Sequence, residues 1–270
     1  MARKTFPYLK AIQNQYMADT DRRFRILKKL ITQSIVGNNC LQIGKITTQT
    51  AALKAPFEFI ENPEKIQRFM AWLHQAQDTE VLGVTERLGR EVVAHTEWQN
   101  VYVRRSYEKG IAFAERKMQE AGIEVSDEEI RAVFNRPIHA DSLGMLYTRD
   151  FTELQGITEA MDQRISRELV DGLSQGKNPR AIARAINNRV DKIGITRART
   201  LARTEVSRAQ NEATLNRYTD YGVKKVELLV GAGPCPTGIC DDHAGVYTLA
   251  ESRGIVPIHP NCSCTWLPVV

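Results

Sequence analysis

Four of the five cysteines of this 270-residue chain stand in its last 36 residues. Cys235 and Cys240 are separated by four residues in a loop rich in glycine and proline, and Cys262 and Cys264 are separated by one residue after a second loop. Two ligand-bearing loops joined by a short β segment are the general plan of a structural zinc site, in which four thiolate or imidazole groups surround the metal. The sequence therefore predicts that these four cysteines form one cluster.

Two histidines near these cysteines, His243 and His259, are alternative ligands. In an extended Cys-x-Cys segment the two side chains point in opposite directions, so Cys262 and Cys264 need a turn if both are to reach one metal ion. Three states of the cluster fit the pattern: a structural Zn²⁺ ion, reduced cysteines that pack together, and disulfide bridges. We expect Cys40 to take no part, because it stands alone in the N-terminal half.

Known catalytic patterns fit this segment poorly. A zinc deaminase pairs His-x-Glu with Pro-Cys-x-x-Cys, whereas here the cysteines are spaced as PCPTGIC and His243 is followed by Ala-Gly. His243, Asn261 and His259 are the residue types of a His-Asn-His nuclease, but their order and spacing are loose. We therefore predict no catalytic residue and keep a metal-dependent nuclease as the alternative.

Basic residues are concentrated in two segments of a chain whose net charge is +5. Residues 1–30 contain eight Lys and Arg against two Asp, and residues 176–208 contain nine against Asp191 and Glu205. Such segments indicate acidic partners, either nucleic acid or an acidic protein surface. The candidate nucleic-acid-binding residues are Arg180, Arg184, Arg189, Lys192, Arg197 and Arg199. The alternative is a set of solvated helix faces, because no aromatic residues interleave with these arginines as a single-strand binder requires.

The composition, with 42% apolar and 26% charged residues, is that of a globular protein. No uncharged apolar stretch approaches the length of about 18 residues that a membrane span requires, so we expect no membrane partner. The basic N-terminal segment lacks the apolar core of a secretory signal. We therefore expect folding in a reducing cytoplasm, where cysteine pairs are more often metal sites than disulfides.

Apolar residues recur at three- and four-residue steps through most of the chain, which predicts helices. Glycine and proline mark the ends of these segments, for example Pro63 at a start and Gly176 at a stop. The predicted helices cover residues 8–35, 63–77, 85–122, 126–135, 147–176, 179–190 and 196–222. After Gly222 the apolar segments become short and β-like. We therefore predict a mainly α protein, with an extended helical body and a small C-terminal α+β module rich in cysteine.

The last of these helices has one narrow face of small and apolar residues, which would let another helix approach closely. The face consists of Ala198, Leu201, Ala202, Val206, Ala209 and Ala213. Glu205 lies on or near this face and needs a partner there, which could be Arg208, Arg203 or backbone amides of the cysteine-rich tail. We predict a structural role for Arg203, Thr204 and Glu205, in which Glu205 holds the tail against the helix.

The second half of the chain contains an Ala-Arg-Thr-Glu helix, a strand, a Cys-x-x-x-x-Cys loop and a terminal His-Pro-Asn-Cys-x-Cys. The residues of this pattern are Ala202, Arg203, Thr204, Glu205, Cys235, Cys240, Asp241, His259, Pro260, Asn261, Cys262 and Cys264. In this order they resemble the C-terminal module of the phage Mu F-like head morphogenesis proteins, also called minor head or minor capsid proteins. The resemblance covers roughly residues 140–270, and the N-terminal half is similar only in being long, helical and charged.

The resemblance implies a structural protein that helps to build the head of a tailed phage or a phage-like particle. Members of the family sit in a few copies inside the procapsid with the portal, and some bind DNA and leave with it. We therefore expect residues 1–135 to dock on the portal or capsid and residues 136–270 to form the minor head module, with residues 223–270 as its cysteine-rich tail. The expected partners are the portal, a capsid or scaffolding protein and double-stranded DNA. The expected location is the inside of the virion head, and the host cytoplasm during assembly.

Overall fold

Helices dominate the computed structural model, which describes residues 7–43, 61–83, 85–88, 91–94, 100–126, 130–231, 235 and 238–269. The helices are α1 (Pro7–Thr32), α2 (Glu61–Gln77), α3 (Val101–Glu120), α4 (Ile130–Phe134), α5 (Pro137–Ser174), α6 (Pro179–Arg189), α7 (Thr196–Asp220) and α8 (Ile239–Asp242). Short π-helical turns follow three of them, at Gln33–Gly37, Asp78–Leu82 and Val190–Ile195. The prediction of a mainly α protein is confirmed.

Several helix ends lie where the sequence predicts them. Gly176 and Gly222 follow α5 and α7 with φ angles of 61° and 68°, a left-handed conformation that glycine adopts without steric cost. The side chain of Asn178 caps the start of α6 by accepting a hydrogen bond from the backbone N–H of Ala181. Pro179 occupies the first turn of the same helix, where its missing N–H has no helical partner to lose.

The helix predicted over residues 85–122 is wrong at its start. Thr85–Leu88 and Glu91–Ala94 form the strands β1 and β2, which pair antiparallel with each other. The stretch contains adjacent β-branched valines in its second strand, and Gly89 stands between the two strands. Both features favour a two-stranded hairpin over a helix.

Helix α3 begins only at Val101, because the residue before it is an effective cap. The Asn100 side chain accepts hydrogen bonds from the backbone N–H groups of Tyr102 and Val103, at 2.8 and 3.2 Å. An asparagine at this position satisfies two of the N–H groups that a helix start leaves unpaired. The part of the predicted helix at residues 95–99 lies outside the described residues.

Beyond Gly222 the chain forms a three-stranded antiparallel sheet, as the sequence predicts for this region. The strands are β3 (Lys225–Leu229), β4 (Val246–Thr248) and β5 (Thr265–Val269), in the order β4-β3-β5. In the central strand, Val226 pairs with Tyr247 on one side and with Pro268 on the other. The short helix α8 lies between β3 and β4 in sequence. The small C-terminal module rich in cysteine is therefore confirmed.

The chain divides into two compact units, each made of segments that are separate in sequence. Unit 1 consists of Met1–Ala18, Val84–Thr152 and Arg199–Val270, and unit 2 consists of Asp19–Gly83 and Glu153–Ala198. The domain boundaries predicted after residues 135 and 222 stay predictions. None of the described helices combines the length and the apolar character that crossing a membrane requires.

Helix α7 contributes to three apolar clusters of unit 1. Ala202 and Val206 pack with residues of the first half of α1. Ala209 and Ala213 pack with residues of α3, α4 and α5. Tyr218 packs with the end of α3, the sheet and the buried cysteines. The small-residue face predicted for this helix is therefore buried, as its composition requires.

Polar side chains on another face of α7 are equally buried. Asn211 Nδ2 donates to the carbonyl oxygen of Cys264 at 3.1 Å, and Gln210 Nε2 donates to Thr265 Oγ1 at 3.3 Å. Thr214 Oγ1 donates to the carbonyl oxygen of Gly110 in α3 at 3.2 Å. These hydrogen bonds attach the last strand and α3 to α7 in addition to the apolar contacts.

The regular secondary structure of unit 2 is helical in the residues that the structure describes. Its buried apolar side chains include Phe24, Leu27, Ile31, Leu73, Met161, Ile165, Leu169, Ile182 and Ile186. Two glycines permit close packing: Gly194 lies against the ring of Phe24, and Gly172 lies against the side chain of Ile182. Lys28 Nζ forms an ion pair with Asp191 at 2.6 Å.

Candidate functional site

The first ligand loop ends in a short helix that directs one cysteine into the protein. Gly238 adopts a left-handed conformation with φ of 70° immediately before α8, and Cys240 is the second residue of that helix. The Cys240 side chain is buried, whereas Cys235, earlier in the loop, is half-buried. The helix therefore places a sulfur inside the apolar cluster of the tail.

The second ligand loop contains the turn that the Cys-x-Cys spacing requires. Asn261 has a φ of 64°, and the backbone N–H of Cys262 bonds the carbonyl oxygen of His259 at 3.0 Å. The chain reverses here, and both Cys262 and Cys264 are buried just before β5 begins. Both sulfurs therefore reach the same interior region.

The two loops meet at Cys240. The ligand atoms of Cys235, Cys240 and His259 lie within 4.8 Å of one another, and so do the sulfurs of Cys240, Cys262 and Cys264. His259 Nε2 is 3.1 Å from Cys240 Sγ, and the sulfurs of Cys240 and Cys262 are 3.9 Å apart. None of the five cysteines of the chain, all of which are described, is in a disulfide.

The orientation of the His259 ring suits a metal ligand. Its Nδ1 is 2.8 Å from the carbonyl oxygen of Pro260, and a carbonyl can only accept a hydrogen bond. Nδ1 therefore carries the proton in the neutral ring, and the lone pair of Nε2 points toward Cys240. A backbone carbonyl that fixes the tautomer in this way is a common outer contact of metal-bound histidines.

Contacts between the thiols shift their pKa values in different directions. The Cys264 thiol donates to Cys262, which lowers the pKa of Cys262 below its usual value and raises that of Cys264. Burial, reinforced by the charge on Cys262, raises the pKa of Cys240. Binding of a cation at this site would release the thiol protons, because cysteine coordinates a metal as the thiolate.

In the Ala-Arg-Thr-Glu motif, Glu205 contacts one of its predicted partners, Arg208, and a second arginine that was not predicted. Glu205 is buried, and its Oε1 accepts from the Nε of Arg149 at 3.3 Å and the Nε of Arg208 at 3.4 Å. The tail is instead contacted by Arg203 and Thr204. Arg208 is one of the three partners that the sequence suggests for Glu205. Arg149 belongs to α5, so the spacing of residues around Glu205 could not indicate it.

The two histidines of the tail differ in their surroundings. His259 is part of the cysteine cluster, whereas His243 does not belong to any described group of ligand atoms within 4.8 Å of one another. The carbonyl oxygen of His243 accepts a hydrogen bond from the Tyr247 hydroxyl at 2.8 Å. Of the two alternative ligands predicted, the geometry favours His259.

The predicted nucleic-acid-binding residues differ in whether their charge is neutralised. Arg180, Arg184, Lys192 and Arg197 are exposed, and they form no ion pair within the described residues of unit 2. Arg189 is half-buried, and its Nε bonds Glu168 at 2.7 Å. Arg199 is exposed and belongs to unit 1.

These features define a class of protein: a mainly helical chain with a small antiparallel sheet and a cysteine-histidine cluster at its C-terminal end. Residues 163–267 match the family model described as Phage Mu protein F like protein. The matched segment runs from within α5 to β5, and it confirms the similarity to that family found in the sequence. It indicates a phage head morphogenesis protein. Neither a curated protein nor a solved structure shows a significant match to the chain.

Proposed function

We propose that this protein is a structural minor head protein, which acts inside the head of a tailed phage or phage-like particle in association with the portal. The observation that carries the proposal is the family match over residues 163–267. The matched segment includes all of α6 and α7 and both ligand loops, so it covers the site as well as the helices that support it. The protein is made in the host cytoplasm and enters the virion during assembly.

The composition of purified heads tests this proposal. Quantitative mass spectrometry of heads should find the protein together with the portal protein, and in few copies relative to the major capsid protein. Cells that lack the protein should produce fewer heads, or heads without DNA. Heads of normal number and normal DNA content from such cells would contradict the proposed function.

The N-terminal helix is the proposed contact with the portal or the capsid. Most of its cations are already paired: Arg22 and Arg23 with Asp19, and Arg25 with Asp21. Lys10 and Lys29 are exposed and form no ion pair within the described residues. These two lysines are therefore the cations of α1 best able to meet an acidic partner.

Charge reversal at these lysines tests the contact more cleanly than deletion of the first 60 residues, because Leu9 and Phe24 of α1 are buried. The variant Lys10→Glu with Lys29→Glu should fold normally and co-purify less with the portal protein. Lys177→Glu, an exposed lysine outside α1, serves as the control. If the double variant co-purifies with the portal protein as well as the unchanged protein does, the contact lies on another surface.

A single structural Zn²⁺ ion is the proposed ligand of the cysteine site. Thiolates and a neutral imidazole are the preferred donors of zinc, and Zn–S bonds of about 2.3 Å place tetrahedral sulfurs about 3.8 Å apart. The separation of 3.9 Å between Cys240 and Cys262 agrees with that geometry. Cys240, His259 and Cys262 supply three ligands, and Cys235 or Cys264 supplies the fourth.

Metal analysis and cobalt substitution test the ion and its ligands. The purified protein should contain about one equivalent of zinc, and Co²⁺ should give the visible spectrum of a tetrahedral site with a sulfur-to-cobalt band. Of Cys235→Ser and Cys264→Ser, the variant that weakens this band identifies the fourth ligand. Protein that binds neither metal would reject the zinc and leave packed thiols or a disulfide in the particle.

Double-stranded DNA is a second proposed partner, because Arg180, Arg184, Lys192 and Arg197 present charge that no described acidic side chain neutralises. Exposed arginines and lysines commonly contact phosphates, and phosphate contacts carry no sequence information, so we expect binding that is largely independent of sequence. It should also weaken steeply as the salt concentration rises.

Binding over a salt series tests the DNA interaction. Changing each of the four cations to alanine should weaken binding, and the salt slope should fall by about one unit for every phosphate that the variant no longer neutralises. Arg189→Ala is the matched control, because Arg189 is already paired with Glu168. An unchanged slope in the fourfold variant would show that other residues, or none, bind DNA.

The proposed role is non-catalytic. Both ring nitrogens of His259 already have partners, at Pro260 and Cys240, so this residue is poorly suited to act as a general base. Plasmid nicking in the presence of added divalent metals tests the nuclease alternative. If the unchanged protein nicks the plasmid and the double variant His243→Ala with His259→Ala does not, the protein is a nuclease instead.

A further inference from the structure

Asn261, which lies between the candidate ligands His259 and Cys262, is tied to helix α7 by two hydrogen bonds. Asn261 donates its backbone N–H to Thr204 Oγ1 at 3.2 Å, and its side-chain oxygen accepts from Arg203 Nη1 at 3.2 Å. Asn261 separates His259 and Pro260 from Cys262 in sequence, and it holds the left-handed conformation that forms the turn. The position of Arg203 and the shape of the ligand loop therefore depend on each other.

Arg203 also contacts helix α1, within the same unit. Its Nε is 3.1 Å from the sulfur of Met17, and its carbonyl oxygen accepts from Gln13 Nε2 at 3.2 Å. The neighbouring Ala202 and Val206 belong to the apolar cluster that holds the first half of α1. One arginine side chain thus bonds the ligand loop through one nitrogen and α1 through another.

We propose that Arg203 couples metal binding at the cysteine site to the stability of the first half of α1. The inference rests on the proposed zinc site. With the metal bound, His259 and Cys262 are held together, so Asn261 stays in place and orients the Arg203 guanidinium against Met17. Without the metal the loop moves more freely, Arg203 loses a fixed partner, and the start of α1 opens more often. Because α1 is the proposed portal contact, the metal-loaded protein is the form prepared for docking.

Hydrogen–deuterium exchange of the full chain, with zinc bound and after chelation, measures this coupling. Exchange around Asn261 should become faster on chelation, because the loop loses its ligand bonds. Amides of residues 12–17 in α1 should exchange about fivefold faster as well, which corresponds to about 1 kcal/mol. The α6 segment in unit 2 should exchange at the same rate in both states.

Two variants separate the coupling from general loss of structure. Arg203→Ala should bind zinc, but its residues 12–17 should exchange at the same rate with and without the metal. Asn261→Gly keeps the left-handed turn and the backbone bond to Thr204 but removes the acceptor for Arg203. It should therefore give the same result as Arg203→Ala, and it replaces that variant if Arg203→Ala folds poorly. Arg208→Ala is the matched control: it changes an arginine of the same helix that bonds Glu205, and it should retain the coupling.

Each negative result of these experiments has a different meaning. Protein that binds no zinc overturns the proposed site and this inference together. Bound zinc with unchanged exchange at residues 12–17 overturns the coupling alone. Coupling that persists in Asn261→Gly, with zinc bound, shows that the signal does not pass through Arg203.

Discussion

Cys240 is the residue on which the cysteine site depends most, because its sulfur belongs to both groups of ligand atoms. Cys240→Ser should abolish zinc binding and lower the free energy of unfolding of unit 1 by several kcal/mol, on the order of the loss of a structural metal. Metal content and urea denaturation measure the two effects.

Cys40→Ser is the matched control, because Cys40 is exposed and lies outside the cluster. It should retain one equivalent of zinc and the stability of the unchanged protein. A Cys240→Ser protein with full zinc content would mean that the metal is held by the other ligands, and the shared role of Cys240 would be wrong.

His139 is a buried histidine that should make the stability of unit 1 depend on pH. Its Nδ1 is 2.9 Å from the Tyr107 hydroxyl and its Nε2 is 3.0 Å from Asp220 Oδ2, while Arg217 and Arg136 also contact Asp220. Burial lowers the pKa of His139 below the ordinary value of 6.5, although Asp220 opposes this change. The neutral ring is therefore the form that the folded protein prefers.

The direction of the pH effect follows from that preference. Below pH 6.5 the unfolded chain binds a proton at His139 that the folded chain does not, so stability should fall as the pH decreases through this range. Above pH 6.5 this contribution should be constant. Urea midpoints between about pH 5 and 8 should fall less steeply for His139→Gln than for the unchanged protein. Equal slopes would exclude His139 as the cause.

At the scale of residues, the sequence predicts which side chains form the site but not how they pair. Spacing and loop composition indicate that the four C-terminal cysteines lie together. The choice of His259 over His243, and of Arg149 as a partner of Glu205, depends on which loops and helices pack together. Those contacts join positions far apart in sequence, so no local sequence pattern predicts them.

At the scale of elements, the crossing of α3 and α7 depends on Gly110. A Cβ atom at this position would lie 2.8 Å from the Cβ of Ala213 and closer still to the carbonyl oxygen of Gln210. Gly110→Ala should therefore destabilise the protein by about 1–3 kcal/mol, because neither backbone can move aside easily. Thermal or urea denaturation measures the change.

Gly144→Ala provides the comparison, because a Cβ at Gly144 in α5 would meet no atom within 4 Å. Alanine in an exposed helix should stabilise the protein by about 0.5–1 kcal/mol relative to glycine. If both variants destabilise equally, the close approach of α3 and α7 is not what requires Gly110.

Helix ends are predictable from the sequence where one residue type determines the backbone conformation. Gly176 and Gly222 end their helices as predicted, since glycine adopts positive φ without strain. The hairpin at β1 and β2 was missed because its apolar residues also fit a helical repeat. Asn100, which caps α3, was the local signal that could have separated the two.

At the scale of the whole molecule, removal of the metal should leave the helices folded. The tail is also held to α7 by bonds that involve no metal: Arg253 Nη1 to Glu212 at 2.8 Å, Arg253 Nη2 to Thr219 at 3.0 Å, and the Tyr218 hydroxyl to the Trp266 carbonyl at 3.2 Å. Chelation should therefore loosen the ligand loops without unfolding the protein.

Circular dichroism and limited proteolysis measure this outcome. The helical signal should be unchanged after chelation, while cleavage near residues 253–262 should become faster. A large loss of helical signal would mean that the metal supports the helices as well as the tail.

The fold class follows from periodicity, but the division into two units does not. Repeats of apolar residues show that a segment is helical and which face is buried. They do not show that the first part of α1 packs with α7 in one unit while the rest belongs to another. Such pairing is a property of the folded chain, because it joins residues that are far apart in sequence.

Trp266 makes the cysteine site visible to an optical measurement. Its indole is fully buried in the same apolar cluster as Cys240, Cys262 and Cys264, and its ring lies edge-on to Tyr247 at 5.5 Å. A buried indole beside ionisable sulfurs changes its emission when those sulfurs gain or lose a cation. With Trp72 and Trp98 replaced by phenylalanine, the remaining fluorescence of the purified protein becomes a label-free signal for metal exchange.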